Sequence, residues 1–392
     1  MADFEDVSFT QAARARIAAI GIRGLSLRTV AQGAGGSVSS LSYHIGDKAA
    51  LIARLIQEER QERQQRYRAW RARAAPLDLT DPKILATLID AYLEEAATVL
   101  REMTLTGCEL LLEATIDPGG FDDIADLLIE EDQFWTALLA RDKPHQSALL
   151  GPAIAAYCRD EMPFAIALTA SPDYRLLRSA IVQRLTEGLA GPPTGLALAF
   201  EPLVAACGET SASVPLPIDL TEGSRKTAIA MHIADLMAEK GLAGLSHRAV
   251  AARAGTANSN VAHHFRTKED LIHGGLCAQI LRARQELGRN ANGEEGMWLI
   301  RATHMVALAA ARDPHMAPFA LDMRRRRAEN VMESMANAVG GPDGLDKPAV
   351  QAATMVMIGS GFAARARRSD DPNAVLTANR LSELRAACSS GI

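Results

Sequence analysis

The sequence lacks the features of secreted, membrane-spanning and disulfide-rich proteins. Its 392 residues include only five cysteines, widely spaced and without a Cys-x-x-Cys pair, so neither a disulfide framework nor a zinc site is expected. The N-terminal residues are acidic, and no stretch approaches 18 uninterrupted apolar residues, so we expect no signal peptide and no membrane span. We therefore expect a cytoplasmic protein. The cysteines lie in apolar helical patterns and are predicted to be buried and inert: Cys108, Cys158, Cys207, Cys277 and Cys388.

Aromatic residues are also scarce, at 4%, while hydrophobic residues make up 48% and charged residues 23%. This composition excludes a disordered chain, and its richness in Ala, Leu and Arg favours helices over β-sandwiches. The length is more than twice the roughly 150 residues of a common domain, so two or more cores are expected. No phosphate loop, metal-ligand cluster or nucleophile motif is present. We therefore expect a protein that is not an enzyme and needs neither cofactor nor metal.

The net charge of −5 argues at first against a nucleic-acid partner, but the charge is segregated along the chain. Residues 1–73 carry 12 basic and 7 acidic side chains, whereas residues 74–220 carry 8 and 23. Residues 221–392 carry 22 basic and 17 acidic side chains. Two basic segments thus flank an acidic one, and a local nucleic-acid contact is compatible with the composition.

Part of the sequence is repeated. Residues 24–52 and 244–272 align without a gap at an offset of 220 and are identical at 13 of 29 positions. An offset of this size is that of a complete domain rather than of a short solenoid repeat. We infer that a whole unit has been duplicated.

Each repeat predicts two short helices joined by a tight turn. Ser26 and Ser246 are predicted to N-cap the first of these helices. Gly35 and Gly255 are predicted to take a positive φ in the turn that follows. The next helix is rich in small polar residues and is expected over Val38–Ile45 in one copy and Asn258–Phe265 in the other. Such a pair is a helix-turn-helix, whose second helix is placed to enter a DNA major groove.

At these residues the sequence resembles the TetR family of bacterial transcription regulators. The matching residues of the first copy are Ser26, Arg28, Val30, Ala31, Ala34, Gly35, Ser37, Leu41, His44, Lys48 and Leu51. Those of the second copy are Ser246, Arg248, Val250, Ala251, Ala254, Gly255, His264, Phe265, Lys268 and Leu271. The resemblance covers about 50 residues in each half. The family's tyrosine, a phosphate contact, is replaced by Ser42 and Ala262, with Tyr43 and His263 one position later.

The resemblance implies a DNA-binding face in each copy, with cations for phosphates and short polar groups for base edges. The predicted DNA-binding residues are Arg28, Ser37, Ser39, Ser40, Ser42, Tyr43, His44 and Lys48, and then Arg248, Thr256, Asn258, Asn260, His263, His264 and Lys268. Asn258 and Asn260 are suited to adenine edges. For His44 and His264 we favour packing at the junction with the next helix over a base contact. The alternative for the polar residues is a solvated helix face without DNA.

In the TetR family, the helices after the DNA-binding unit hold an apolar pocket for a small-molecule inducer. The predicted lining residues are Met103, Cys108, Leu111, Phe134, Trp135, Met305 and Met323. Ordinary core packing is the alternative for each of them. An acidic cluster over residues 122–132 could attract a cationic ligand, and Arg324–Arg327 could clamp an anionic ligand or lie near DNA. We expect both charged runs to be solvated instead. Gly151-Pro152 and Pro163 are expected to punctuate the helices of the first half.

The sequence therefore predicts an all-α fold of two tandem TetR-like units. The first comprises a three-helix helix-turn-helix domain at 1–54 and a helical ligand-binding and dimerisation domain at 55–208. The Pro/Ser/Gly-rich segment 209–223 is predicted to be a linker that reaches roughly 50 Å when extended. The second unit comprises a helix-turn-helix domain at 224–275 and a helical domain at 276–392. We expect the two units to form an intramolecular pseudo-dimer, with further homodimerisation left open.

The predicted function is transcription regulation through a double-stranded DNA operator. Following the family's habit, we expect a repressor that is released by a small-molecule inducer. The two recognition helices differ in sequence, so the operator is expected to have unlike half-sites about one helical turn apart. The alternative is a ligand- or protein-binding helical module whose helix-turn-helix units no longer bind DNA.

Overall fold

The computed structural model describes residues 2–208, 215–216, 218–240, 244–287, 294–340, 344–368 and 376–389. These residues form helices and connections without any β-strand, which confirms the predicted all-α fold. Within these ranges no helix combines the length and the apolar character needed to cross a membrane. Of the predicted linker, residues 209–214 and 217 lie outside the described residues.

In chain order the α-helices are α1 (Ala2–Ile20), α2 (Leu27–Gly33), α3 (Val38–His44), α4 (Lys48–Ala74), α5 (Pro82–Ala97), α6 (Arg101–Ile116), α7 (Ile124–Leu139), α8 (Ser147–Leu168), α9 (Pro172–Thr186), α10 (Phe200–Ala206), α11 (Arg225–Lys240), α12 (His247–Arg253), α13 (Asn258–His264), α14 (Lys268–Leu287), α15 (Glu294–Ala310), α16 (Ala317–Arg325), α17 (Met332–Gly340), α18 (Lys347–Ala366) and α19 (Ala378–Ser389).

The chain forms two compact units, each built from two separate stretches of sequence. Unit 1 comprises residues 1–52 and 213–319, and unit 2 comprises residues 53–212 and 320–392. Each unit thus contains residues from both halves of the chain. Both predicted DNA-binding helix pairs, α2–α3 and α12–α13, lie in unit 1. The domain boundaries drawn from the sequence stay a prediction.

Unit 1 contains two three-helix segments with the same internal spacing. The bounds of α2 and α3 and the start of α4 recur, at an offset of 220, in α12, α13 and the start of α14. Apolar side chains at corresponding positions are buried in both segments: Phe9 and Ile229, Ala13 and Ile233, Ile17 and Met237, Leu25 and Leu245, Val30 and Val250, Leu41 and Val261, Leu51 and Leu271. The two segments therefore share the positions of their cores as well as their helices.

The local signals in the sequence produce the expected helix starts and turns. Ser26 Oγ accepts a hydrogen bond from the backbone N–H of Thr29 at 3.2 Å, and Ser246 Oγ accepts one from Ala249 at the same distance. Gly35 has a φ of 71° and Gly255 a φ of 60°, values that L side chains rarely adopt. The predicted N-caps and glycine turns are confirmed.

The connection after α15 contacts two helices of unit 1. Arg312 donates from Nε to the carbonyl oxygen of Ala18 at 2.8 Å and from Nη2 to that of Ile17 at 3.1 Å, both at the C-terminal end of α1. The neighbouring residue, Asp313, accepts a 2.9 Å hydrogen bond from His273 Nε2 on α14. Two consecutive residues thus join the end of α1 to the helix that follows α13.

Unit 2 is organised around α8, which packs against α7 on one side and α18 on another, while α18 also contacts α6 and α9. Nearly every side chain of α8 is buried. Pro152 and Pro163 lie inside this helix, so the prediction that they punctuate the first half into separate helices is wrong. Packing of α8 on its neighbours outweighs the loss of a backbone donor and the clash that each proline brings.

The arginine run Arg324–Arg327 was predicted to be solvated, and the structure differs from that prediction as well. Arg324, Arg325 and Arg327 are buried, so the expectation that the whole run is solvated is wrong. Arg324 Nη2 lies 2.6 Å from Glu161 Oε2, and Arg327 forms an ion pair with Asp160. The acidic partners stand more than 160 residues away in the sequence, so no local pattern marks these arginines as paired.

Candidate nucleic-acid interface and cavity of unit 2

The first-copy residues predicted to bind DNA lie on α2, α3 and the start of α4. Arg28, Ser37, Ser39, Ser42 and Tyr43 are exposed, whereas the remaining three are half-buried: Ser40, His44 and Lys48. Tyr43 is 87% exposed, which is unusual for so large a ring and leaves it available to a partner. Ser37 caps α3 by accepting from the backbone N–H of Ser40 at 3.0 Å.

The second-copy residues lie on α12, in the turn before α13, on α13 and at the start of α14. Those that are exposed are Arg248, Asn258, His263 and Lys268, and those that are half-buried are Thr256, Asn260 and His264. Asn260 Nδ2 donates to Thr256 Oγ1 at 2.9 Å. Part of the Asn260 amide is thereby engaged within the protein, so Asn258 is the more available amide for an adenine edge.

The two histidines that end α3 and α13, His44 and His264, are half-buried. Burial lowers the pKa of His264, and the neighbouring charges of His263, Lys226 and Arg225 lower it further. The ring of His44 contacts that of Tyr43 edge-on, with 5.2 Å between the ring centroids. The preference for packing over base contact at both histidines stays a prediction.

Two basic residues near the second recognition helix were missed by the sequence reasoning. Arg225 Nη2 donates to Thr256 Oγ1 at 3.1 Å, and Lys226 lies close enough to lower the pKa of His264. The available signal was the basic pair at the start of α11. At the offset of 220, the first copy has Glu5 and Asp6 instead. The second copy therefore offers more positive charge for phosphates.

The helices α3 and α13 also differ in their N-terminal caps. We predict that adding the missing cap to α13 raises the local stability of that helix. Ser37 caps α3, whereas Ala257 at the start of α13 has no side chain to accept a hydrogen bond. Ala257→Ser should stabilise α13 by about 1 kcal/mol, because its backbone is already extended as a cap requires. Amide hydrogen exchange over residues 258–264 should slow by about fivefold. Ser37→Ala is the matched control and should speed exchange over residues 38–44; unchanged exchange in both would contradict the capping assignment.

Unit 2 contains a cavity lined by residues of α4, α5, α6, α7 and α8 and partly open to solvent. Its volume is about 60 Å³. That is room for about four to six water-sized groups, more than a single structural water needs. Met103, Cys108 and Leu111, which were predicted to line a pocket, all line this cavity.

The lining of the cavity includes apolar and charged side chains, called here its apolar wall and its charged wall. The apolar wall comes mainly from α6, α7 and Met162 of α8. The charged wall carries Glu59, Arg63 and Arg66 of α4, Glu131 of α7 and Arg159 of α8. Of these charged residues only Glu131 was considered as a ligand contact from the sequence, as part of the acidic cluster 122–132; Glu59, Arg63 and Arg66 were not, because Glu and Arg recur along α4 without a spacing that singles them out.

The other predicted pocket residues lie elsewhere. Phe134 and Trp135 are buried in an aromatic cluster, where Phe134 stacks on Tyr67 with 4.3 Å between ring centroids and Trp135 meets Tyr92 edge-on. Met305 lies half-buried on α15, and Met323 is buried on α16. Burial raises the pKa of the Cys108 thiol to about 12, so this thiol stays protonated at neutral pH.

Comparison with known proteins agrees with the geometry of unit 1. Residues 233–274, from α11 to the first turns of α14, match the model of the bacterial regulatory proteins of the tetR family. No curated protein matches the chain. The matched segment contains the whole second helix-turn-helix, and it supports a TetR-like DNA-binding regulator.

Proposed function

We propose that the chain is a transcription regulator built from two fused TetR-like units, which acts by binding and not by catalysis. The observation that carries the proposal is the exact recurrence of helix bounds and buried positions at an offset of 220. The second segment matches the tetR family model, and the first has the same arrangement of helices, caps and glycine turns. Each copy thus supplies one recognition helix, α3 or α13.

The proposed arrangement is an intramolecular pseudo-dimer. It is supported by the composition of unit 2, in which α8 and α9 of the first half pack against α18 of the second half. Buried ion pairs join the same two halves, including Arg184 with Asp346 at 2.7 Å and Arg324 with Glu161. In solution we expect a single chain of 41.9 kDa to bind one operator.

The operator is proposed to have unlike half-sites about one helical turn apart, because α3 presents serines and Tyr43 where α13 presents Asn258 and His263. The regulator is proposed to act in the cytoplasm as a repressor that a small molecule releases. The cavity of unit 2 supports the ligand, since it has an apolar wall and a few charged groups in fixed positions.

The DNA test uses the full chain and sequence selection from a random duplex library, followed by footprinting. Asn258→Ala should weaken binding by about 1–3 kcal/mol and relax specificity in one half-site only. Tyr43→Ala should weaken binding through the other half-site. Asn337→Ala, at an exposed position on α17, is the matched control and should leave binding unchanged.

The outcomes separate the proposal from its alternative. Specific binding should resist competitor DNA and fall steeply as salt rises, because phosphate contacts release counterions. A perfect palindrome bound by two chains would overturn the pseudo-dimer. Failure to select any sequence, together with shallow salt dependence, would favour a ligand- or protein-binding module with inactive helix-turn-helix units.

A further inference from the structure

The cavity of unit 2 contains one arginine whose terminal nitrogens are not engaged. Arg63 donates from Nε to Glu59 Oε1 at 2.8 Å. Its two terminal nitrogens donate to no atom in the described part of the chain, although the side chain lines the cavity. A guanidinium presents donors in a planar fork that matches a carboxylate, so an open edge facing a cavity is a place for an anion.

The other two arginines of the cavity are held by protein groups. Arg66 donates from Nε to Glu95 at 3.1 Å and from Nη2 to the carbonyl oxygen of Tyr92 at 2.6 Å. Arg159 donates from Nε to Glu131 at 2.7 Å, and its Nη2 is shared between Leu128 O and Asp132. Arg63 is therefore the arginine of this wall that is left to meet a bound molecule.

A glycine makes room for the Arg63 guanidinium. A Cβ at position 107 on α6 would lie 2.7 Å from Arg63 Nη2 and 3.0 Å from Glu59 Oε1, closer than real Cβ contacts. With hydrogen at that position, the Glu59–Arg63 pair can lie against α6 and face the cavity. The site thus depends on the pairing of α4 residues and on the absence of a side chain on α6.

The Arg63 guanidinium keeps its charge in the cavity. Burial alone lowers the pKa of Arg63, but the nearby Glu59 raises it well above its ordinary value, so Arg63 stays charged. The lining carries three arginines and two glutamates, and Arg66 and Arg159 also pair with Glu95 and Asp132. The surroundings thus carry no excess of positive charge, and the open edge of the Arg63 guanidinium is the feature that favours an anion.

The apolar lining and the volume of the cavity indicate what the rest of the bound ligand is like. The apolar wall is formed by side chains such as Met103, Leu111, Ile124, Leu127 and Met162. The space suits about four to six water-sized groups. We infer that this cavity binds a small apolar carboxylic acid, with its carboxylate on the free edge of Arg63 and its short aliphatic body against the apolar wall.

The inference rests on the proposed function only in taking this cavity as the site of the regulatory ligand, and direct binding tests it without DNA. Isothermal titration of the full chain would compare propionate, butyrate and isobutyrate with butyramide and butylamine of matched shape. We expect the carboxylates to bind at least about tenfold more tightly than the amide and amine, because a charge-assisted pair is lost in both.

Variants of Arg63 and its neighbours test whether the carboxylate binds at Arg63. Arg63→Gln should weaken carboxylate binding by about ten- to a hundredfold, while Arg68→Gln, an exposed arginine of the same helix, should leave it unchanged. The double variant Glu59→Gln with Arg63→Gln leaves no buried carboxylate unpaired, so it should fold and still lose binding. Gly107→Ala retains both charges and should weaken binding by displacing the guanidinium.

Each result decides the inference. No carboxylate binding, equal binding of butylamine, or binding unaffected by Arg63→Gln would overturn it. If carboxylates bind through Arg63 but do not release the selected operator in a mobility-shift assay, the ligand class stands and the proposed ligand-released repressor fails. If the chain binds no DNA at all, the same titration still decides which ligand the cavity takes.

Discussion

Replacing Arg324 with methionine is expected to lower the free energy of unfolding of unit 2 by about 3–5 kcal/mol, because the change leaves Glu161 as a buried carboxylate without its cation. Both side chains are fully buried. Arg324 donates from Nε to Glu161 at 2.8 Å and from Nη1 to Gln351 at 2.8 Å. Water cannot replace the lost partner at such a depth.

The tyrosines around Glu161 do not compensate for the lost charge. Tyr157 and Tyr174 donate to the Glu161 carboxylate at 2.7 and 2.8 Å. Burial raises the pKa of Glu161, but Arg324 and these hydrogen bonds bring it below its ordinary value of 4.5. The pair therefore stabilises the fold above about pH 4.5, and this contribution is lost as the pH falls further. The unfolding of Arg324→Met and of the unchanged chain should therefore be compared at neutral pH.

Denaturant unfolding followed by tryptophan fluorescence measures the effect. In a Trp298→Phe background the signal comes from Trp70 and Trp135, both in unit 2. Arg326→Met is the matched control from the same run. Arg326 is half-buried, Glu329 is exposed and Asp322 keeps its pair with Arg325, so a loss of less than about 1 kcal/mol is expected. Adding Glu161→Gln to Arg324→Met should recover much of the loss. Equal losses for Arg324→Met and Arg326→Met would refute the importance of the buried pair.

Gly359→Ala is the second variant with a large expected effect. A Cβ at this position of α18 would lie 2.7 Å from the carbonyl carbon of Ala156 on α8 and still closer to its oxygen. The obstacle is backbone, which no rotamer change removes, so α8 and α18 must separate. We expect a loss of about 1–3 kcal/mol or more, with faster amide exchange in both helices.

The direction of the change in stability distinguishes a steric clash at Gly359 from an effect of helix propensity. Alanine in place of glycine inside a helix ordinarily stabilises by about 0.5–1 kcal/mol. Gly33→Ala is the matched control, because a Cβ there would make ordinary contact at 3.5 Å with Ala12. It should slow exchange in α2. If Gly359→Ala also slowed exchange in α18, the close approach of α8 and α18 would be contradicted.

The features that the sequence predicted are those fixed by near neighbours. A serine cap and a glycine with positive φ depend on three or four consecutive residues, so Ser26, Ser246, Gly35 and Gly255 could be assigned before the structure. The same holds for the exposed positions of α3 and α13, because a short helix with one buried residue leaves the others to solvent.

The features that could not be predicted depend on distant partners. Arg324 looks like any arginine in a basic run until Glu161 is brought against it. Arg63 differs from its neighbours on α4 only because Gly107 leaves space beside it. Pro163 is a helix breaker by local rules, and the packing of α8 overrides them. Pairings of this kind need tertiary contacts that span up to 160 residues or more.

The hydrogen bonds of Arg312 and Asp313 couple the two helix-turn-helix segments through one short connection. One residue holds the end of α1 and the next holds α14, so a single displacement of this connection pulls on the scaffolds of both recognition helices. Loss of the Arg312 hydrogen bonds would free only the end of α1, and loss of the Asp313 hydrogen bond would free only α14. A displacement of the whole connection would break both sets of contacts together.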